Sequence, residues 1–399
     1  MPAPRRSNLR TRAVGWVLCL WTSGCMLGPP ATDDGGVVDD GPLSLPTTLF
    51  NYADPTIPAH ADHDGLSATD PNDLDVIRDR SPDDNPVTDA GATLGRVLFY
   101  DTLLSHNETV SCASCHRPEL GFSDDNILSE GFDGGETGRH SMGLTNARYT
   151  GNGRYFWDER AATLEEQVLM PIQDEVEMGL TLDELVERVA NAAYYPALFT
   201  DAFGDDEVTE ERIAFALAQF VRSLVSFGAK YDEGRAQVGS VYDEFPNFTA
   251  SENRGRDLFF EPLLFGGFDC SACHHGEAFV GPVATSNGLD AMSTDDLGVA
   301  EYTEFDDDIG RFRVPSLRNI AVRPPYMHDG RFADLDEVID HYSTGVEGHP
   351  ALTVYRLEDG SGLRLDMSDD QKADLKAFLL TLTDEQMLTD EKFQDPFNR

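Results

Sequence analysis

Basic residues are scarce. Lys and Arg number 30 against 72 Asp and Glu in 399 residues, a formal charge of −42. Acidity on this scale excludes attraction to nucleic acid and to anionic membrane surfaces, and favours a cationic protein partner. Long apolar runs are missing as well: beyond the first 25 residues nothing approaches the roughly 20 apolar residues of a membrane-spanning helix. Cysteine is sparse, with six in the chain. Two of these, Cys19 and Cys25, fall in the N-terminal segment, which leaves four and none to spare for a disulfide framework. Strand signals are few, so the expected fold is mainly α.

The four remaining cysteines come in two pairs, each followed directly by histidine: Cys112-Ala-Ser-Cys115-His116 and Cys270-Ser-Ala-Cys273-His274. C-x-x-C-H is the attachment pattern for c-type haem. Two intervening residues let both thiols reach vinyl groups on one edge of a porphyrin, and the next residue offers an imidazole as proximal iron ligand. A Cys₄ zinc site or a redox C-x-x-C would leave both histidines without a purpose. Two covalently bound haem c groups are therefore expected.

Arg5, Arg6, Arg10 and Arg12 precede a short apolar stretch from Ala13 to Trp21, the pattern of an export signal. Thr22-Ser-Gly-Cys25 resembles a lipoprotein cleavage site, with threonine where leucine is usual. Residues 1–25 are thus expected to direct export to the periplasm or cell envelope, with Cys25 a candidate lipid anchor. Residues 26–85, rich in Asp, Gly, Pro and Thr, predict an acidic flexible leader in which His60 and His63 have no role.

An internal repeat organises the rest. Gly95-Arg-Val-Leu-Phe-Tyr-Asp-Thr-Leu-Leu104 matches Gly255-Arg-Asp-Leu-Phe-Phe-Glu-Pro-Leu-Leu264, and each block precedes its C-x-x-C-H by a similar distance. The simplest reading is two cytochrome c-like haem domains related by internal duplication, 86–240 and 241–399. Leu94, Val97 and Leu98 have helical spacing. Ile213, Leu217, Phe220 and Leu224 form an apolar stripe. Thr181–Glu184 and Ser368–Gln371 are capping boxes.

Further motifs follow each haem sequence. After the first come Gly121-Phe-Ser-Asp124, Gly138-Arg-His140, Phe156-Trp-Asp-Glu-Arg-Ala161, Glu166-Gln167, Pro171-Ile172 and Glu177-Met178. After the second come Phe312–Asn319, Pro325-Tyr-Met-His-Asp-Gly330 and the helical-looking Leu335–Gly345. In this order they resemble the bacterial di-haem cytochrome c peroxidase family, which includes the MauG branch, from about Gly91 to about Asp384. The resemblance implies that the first haem, on His116, reacts with peroxide. It implies that Glu177 is the distal-pocket carboxylate, that Gln167 and Pro171 line that pocket, and that Trp157 lies between the haems. A carboxylate so placed can take a proton from the near oxygen of peroxide and return it to the far one.

Departures from the family pattern matter too. The second haem, on His274, has Tyr342 where the peroxidases carry a methionine ligand and MauG a tyrosine; His341 and Met327 are the rival ligands. A phenolate stabilises ferric iron and lowers the potential. Phe132 stands where many relatives have a distal histidine, which implies an open peroxide site. His140 replaces an asparagine that helps bind calcium alongside the carbonyls of Arg323 and Pro325. Imidazole is a poor calcium ligand, so calcium is left open. Arg318 is placed by the family pattern near haem propionates, and Phe268 replaces a surface tryptophan of MauG. The expected activity is that of a cytochrome c peroxidase-type oxidoreductase: hydrogen peroxide is reduced with electrons from a small cytochrome c or copper protein. A MauG-like oxidase acting on a protein and a non-enzymatic di-haem electron carrier are the alternatives.

Overall fold

A computed structural model describes residues 37–39, 41–61 and 79–399. The export signal, Cys19, Cys25 and His63 lie outside the described residues. Two short strands, β1 (Val37–Asp39) and β2 (Ser44–Pro46), pair antiparallel with Val38 opposite Leu45, and they are the sheet found among the described residues. Everything else regular is helical. In the first half α1 is Asp89–Tyr100, α2 Cys112–Cys115, α3 Leu164–Gln173, α4 Leu182–Asn191, α5 Tyr195–Phe203, α6 Glu210–Ser223 and α7 Lys230–Arg235. In the second half α8 is Ala250–Phe260, α9 Ala300–Thr303, α10 Leu335–Asp340, α11 Asp369–Leu380 and α12 Glu385–Thr389.

The helices start where side chains satisfy their free N–H groups. Thr88 Oγ1 accepts from the Gly91 amide at 3.0 Å, and Thr181, Thr249 and Ser368 each form a capping box. The apolar stripes then choose the partners. Leu94, Val97 and Leu98 are fully buried where α1 packs on α6, whose Ile213, Leu217 and Phe220 are equally buried. The second half repeats the arrangement, with α8 packed on α11 through Phe259 and Phe378. One glycine makes each close approach. A Cβ at Gly95 would collide with the Ala216 carbonyl and stand 2.8 Å from Phe220 Cβ. A Cβ at Gly255 would collide with the Asp374 carbonyl and stand 2.8 Å from Phe378 Cβ. The same residue of the sequence repeat thus holds both helix pairs together.

Two boundaries differ from expectation. The leader is not wholly free: Tyr52 is buried, and its hydroxyl donates to Lys392 O at 2.6 Å. Nor does His60 face solvent. Its ring is buried, with Nε2 3.4 Å from Asp232 Oδ1. At the other end, 241–399 does not close on itself. Met387 and Phe393 are buried in the first core, and Tyr100 donates to Phe393 O at 2.6 Å. Neither contact was readable in sequence, because each joins residues about 300 positions apart.

Candidate functional site

The first C-x-x-C-H occupies α2, capped by Ser111 and Ser114. Beyond it the chain doubles back through Gly121 and Phe122, both with positive φ, so that Phe122 O lies 2.8 Å from His116 Nδ1. The second motif sits on a short turn, and there Phe279 O, again from a residue with positive φ, lies 3.3 Å from His274 Nδ1. Both rings are held through Nδ1–H to a backbone carbonyl, which fixes the tautomer that leaves Nε2 for a metal. Burial pushes the His274 imidazole down to about 4 and lowers His116 as well, so both are neutral and able to ligate.

A cavity of about 1470 Å³, its mouth included, opens beside the second motif. Cys270, Cys273, His274 and Tyr342 line it. So do Arg323, which is buried, and Arg313, which is half-buried; neither forms an ion pair among the described residues, and their Nε atoms lack hydrogen-bond partners. Desolvation lowers the Arg323 guanidinium to about 10. Buried cations without counter-ions are costly. They suit a cofactor that brings its own carboxylates, as haem does with its propionates. Arg318 does not fill that role. Its guanidinium is buried and paired with both oxygens of Asp232, at 2.6 and 2.9 Å, and it donates to Glu277 O. The family pattern indicated the neighbourhood but not the residue, since only the folded structure shows which arginine lacks a carboxylate.

The candidate ligands of the second haem converge on Asn287. Its Nδ2 lies 3.4 Å from Met327 Sδ, its carbonyl 3.1 Å from His341 Nε2, and its side chain hydrogen-bonds Tyr342. Tyr342 lies in a wide π-type turn, His341–Gly345, that continues α10. Its phenol is raised by burial and lies within electrostatic reach of Cys273 and Cys270. Phe268 is buried, its carbonyl accepting from Tyr355 at 2.7 Å, so it offers no surface.

Trp157 lines the same cavity. Its Nε1–H donates to His140 O at 2.8 Å, and its own carbonyl accepts from the Arg313 amide at 2.8 Å. Ser141 is also on the cavity wall, and its hydroxyl donates to Cys115 O at 2.8 Å beside the His116 ring. The segment 140–143 therefore runs from the cavity wall to Cys115, with Trp157 bonded to its first residue. The His140 ring faces backbone carbonyls, with Nδ1 3.0 Å from Asn126 O and 3.2 Å from Ile127 O.

Glu177 follows α3, which contains Gln167 and Pro171 on the stretch leading to it. Asp174 Oδ1 accepts from the Val176 and Glu177 amides at 2.8 and 3.1 Å, and Glu177 O accepts from the Phe132 amide at 3.1 Å. Its backbone is thus held from both sides, and its half-buried carboxyl lies within electrostatic reach of Cys112 and Cys115. Burial, then the Asp174 charge, raises it to about 7, against a smaller opposing effect of Arg160. Phe132 packs against Gly179 next to this loop.

Two tethered imidazoles, four unpaired thiols and a cavity with orphaned guanidiniums make this a protein of the di-haem c-type class. The model of the family described as di-haem cytochrome c peroxidase matches residues 89–237. The methylamine utilization protein MauG of Methylorubrum extorquens is 36% identical over 304 residues, 75% of this chain and 80% of its own. Cytochrome c551 peroxidase of Nitrosomonas europaea is 32% identical over 298 residues, 74% of this chain and 80% of its own. Among solved structures, a MauG-like protein associated with microbial copper homeostasis superposes with a TM-score of 0.68 at 33% identity, covering 81% of this chain and 97% of that one. The diheme peroxidase BthA from Burkholderia thailandensis shares the fold at 21% identity, TM-score 0.64. The chain belongs to the di-haem cytochrome c peroxidase family, with MauG among its relatives.

Proposed function

We propose that the protein is an exported di-haem c-type peroxidase. It reduces hydrogen peroxide to water at the haem on Cys112, Cys115 and His116. Electrons enter through the haem on Cys270, Cys273 and His274, from a small cytochrome c or copper protein. Bound haem supplies an iron that coordinates and activates peroxide; the protein does the rest. His116 and His274 would hold the irons, and Arg313 and Arg323 would neutralise the propionates. Trp157, oxidisable and sited between the motifs, relays electrons. Gln167 and Pro171 line the pocket. Glu177 takes the proton from the near oxygen of peroxide and hands it to the far one. The observation that carries the reading is Glu177, a half-buried carboxyl on a backbone-anchored loop, within electrostatic reach of the first haem motif and raised to about 7. Phe132, in place of a distal histidine, leaves the site open.

The domains are 86–240 and 241–399, related by duplication. The common glycine contact of Gly95 and Gly255 supports that relation, although the last residues return to the first core. The protein lies in the periplasm or cell envelope, with Cys25 a candidate anchor. No helix among the described residues is long and apolar enough to cross a membrane. The His140 ring, turned to the Asn126 and Ile127 carbonyls, argues against calcium at that point, while the carbonyls of Arg323 and Pro325 keep a site open. Tyr342 facing the second haem cavity favours one competing reading, a MauG-like oxidase acting on a protein.

The test is steady-state peroxide reduction by the holoprotein. Glu177→Gln keeps the shape and removes the proton acceptor, so turnover should fall by on the order of 100-fold or more. Turnover equal to that of the unaltered protein would remove Glu177 from the mechanism.

A further inference from the structure

A second cluster of redox-capable groups lies on the other side of the first haem motif. Asp101 is buried at the end of α1. Its Oδ1 accepts from the Leu103 amide at 2.9 Å. Its Oδ2 accepts from two tyrosines, Tyr194 at 2.6 Å and Tyr195 at 2.7 Å. The two rings are 4.7 Å apart. Tyr195 is fully buried in the core against which Cys112 and Ala113 pack, and it lies within electrostatic reach of Cys112. Tyr194 is half-buried and edges towards the surface against Phe397. The pair therefore runs from the neighbourhood of the first haem outward, with one carboxylate hydrogen-bonded to both phenols.

One-electron oxidation of a phenol releases its proton, and a hydrogen-bonded base makes the loss easier. Burial and the Asp101 charge keep both phenols protonated at any ordinary pH, so the proton must leave with the electron. A buried aspartate needs donors in any protein, but that need alone does not place two phenols, their rings in contact, on one oxygen beside a haem motif.

We propose that Tyr195, Asp101 and Tyr194 form a relay that carries oxidising equivalents from the first haem site to the protein surface when no protein electron donor is docked. Each phenol gives one electron towards the haem site and its O–H proton to Asp101 Oδ2. Asp101 passes that proton to solvent before accepting the next. Two such losses match the two electrons that hydrogen peroxide takes in becoming two waters. Tyr194 is the exit: its radical takes one electron and one proton from a small phenol or thiol in solution, which restores the phenol and leaves the oxidation on that small molecule. The relay rests on the peroxidase reading of the first haem.

The experiment is freeze-quench electron paramagnetic resonance of the holoprotein mixed with hydrogen peroxide without donor. Haem absorption is followed in parallel, and a nitroso spin trap is mapped by peptide mass spectrometry. The relay predicts a tyrosyl signal and a trap adduct on the peptide carrying Tyr194. Both should be lost in Tyr195→Phe, while Tyr194→Phe keeps a radical but loses the adduct. Each variant retains one phenol on Asp101, and its haem content and melting are compared with those of the unaltered protein. Haem bands that respond to peroxide without a tyrosyl signal, or with one that Tyr195→Phe leaves untouched, overturn the relay alone. Haem bands that ignore peroxide altogether overturn the peroxidase reading, and the relay falls with it.

Discussion

In the proposed reaction two side chains carry most of the chemistry, and each is tuned by its surroundings. Glu177 is raised to about 7 by burial and then by Asp174. A base must be ionised to take the peroxide proton, and below its pKa each pH unit removes roughly nine-tenths of the ionised form. The rate of the first reaction with peroxide should therefore rise with pH up to about 7 and then level off. Stopped-flow rates that stay flat from pH 5 to 8 would mean that another group takes the proton. Tyr342 is the second such side chain. It lines the cavity with His274, and its Asn287 partner holds it in place. Methionine is a neutral ligand that favours ferrous iron. Tyr342→Met should raise the midpoint potential of the second haem by on the order of 100 mV, inside the ~0.8 V range that axial ligands span. A potentiometric titration in which neither haem moves would take Tyr342 off the iron. His341 and Met327, the rivals on Asn287, would then be next to substitute.

At the scale of elements, the packing of α8 on α11 is set by one missing methyl group. An alanine at Gly255 would drive its Cβ into the Asp374 carbonyl, and overpacking of this kind costs about 1–3 kcal/mol. Gly138 is the contrast: exposed, with nothing within 4 Å of its would-be Cβ. Denaturant melts should show Gly255→Ala destabilised and Gly138→Ala near the parent. Equal melts would mean that the helix pair tolerates separation. Both C-x-x-C-H turns, the two capping boxes and the α1–α6 stripe were legible in the sequence, because local spacing decides them. Glu177 and Trp157 could be named only by resemblance; nothing in a run of acids distinguishes one carboxylate. What the sequence hid depends on tertiary contact. Arg313 and Arg323 stand out only once they are seen lining the cavity with no ion pair and an unbonded Nε. Arg318, favoured by pattern, proves to be Asp232's partner. Asn287 belongs to none of the motifs, and His60 looked solvated until Asp232 was found beside it. The polar composition of the leader suggested freedom, but a single aromatic, Tyr52, is enough to pin it.

The whole molecule carries 72 acids against 30 bases. That imbalance is not spent on internal pairing alone. Arg139 by itself takes three carboxylates, Asp158, Asp296 and Glu301, at 2.6 to 2.8 Å, so one base serves several acids while many acids remain on the surface. A field of this sign slows an anionic donor and steers a cationic one, raising its association rate by about 10- to 1000-fold at low salt. Salt shortens the range of that field, to about 10 Å at 0.1 M. For a basic small cytochrome c the second-order rate of oxidation should therefore fall steeply between about 0.01 and 0.2 M ionic strength, where the screening length shrinks from about 30 Å to under 10 Å. An acidic donor of similar potential should speed up over the same range. The single-turnover reaction with uncharged peroxide should barely change, which separates docking from chemistry in the same protein. A basic donor whose rate ignores salt would show that the surface charge has no part in bringing electrons to the second haem. An acidic donor that outpaces the basic one at low salt would reverse the assignment of partner.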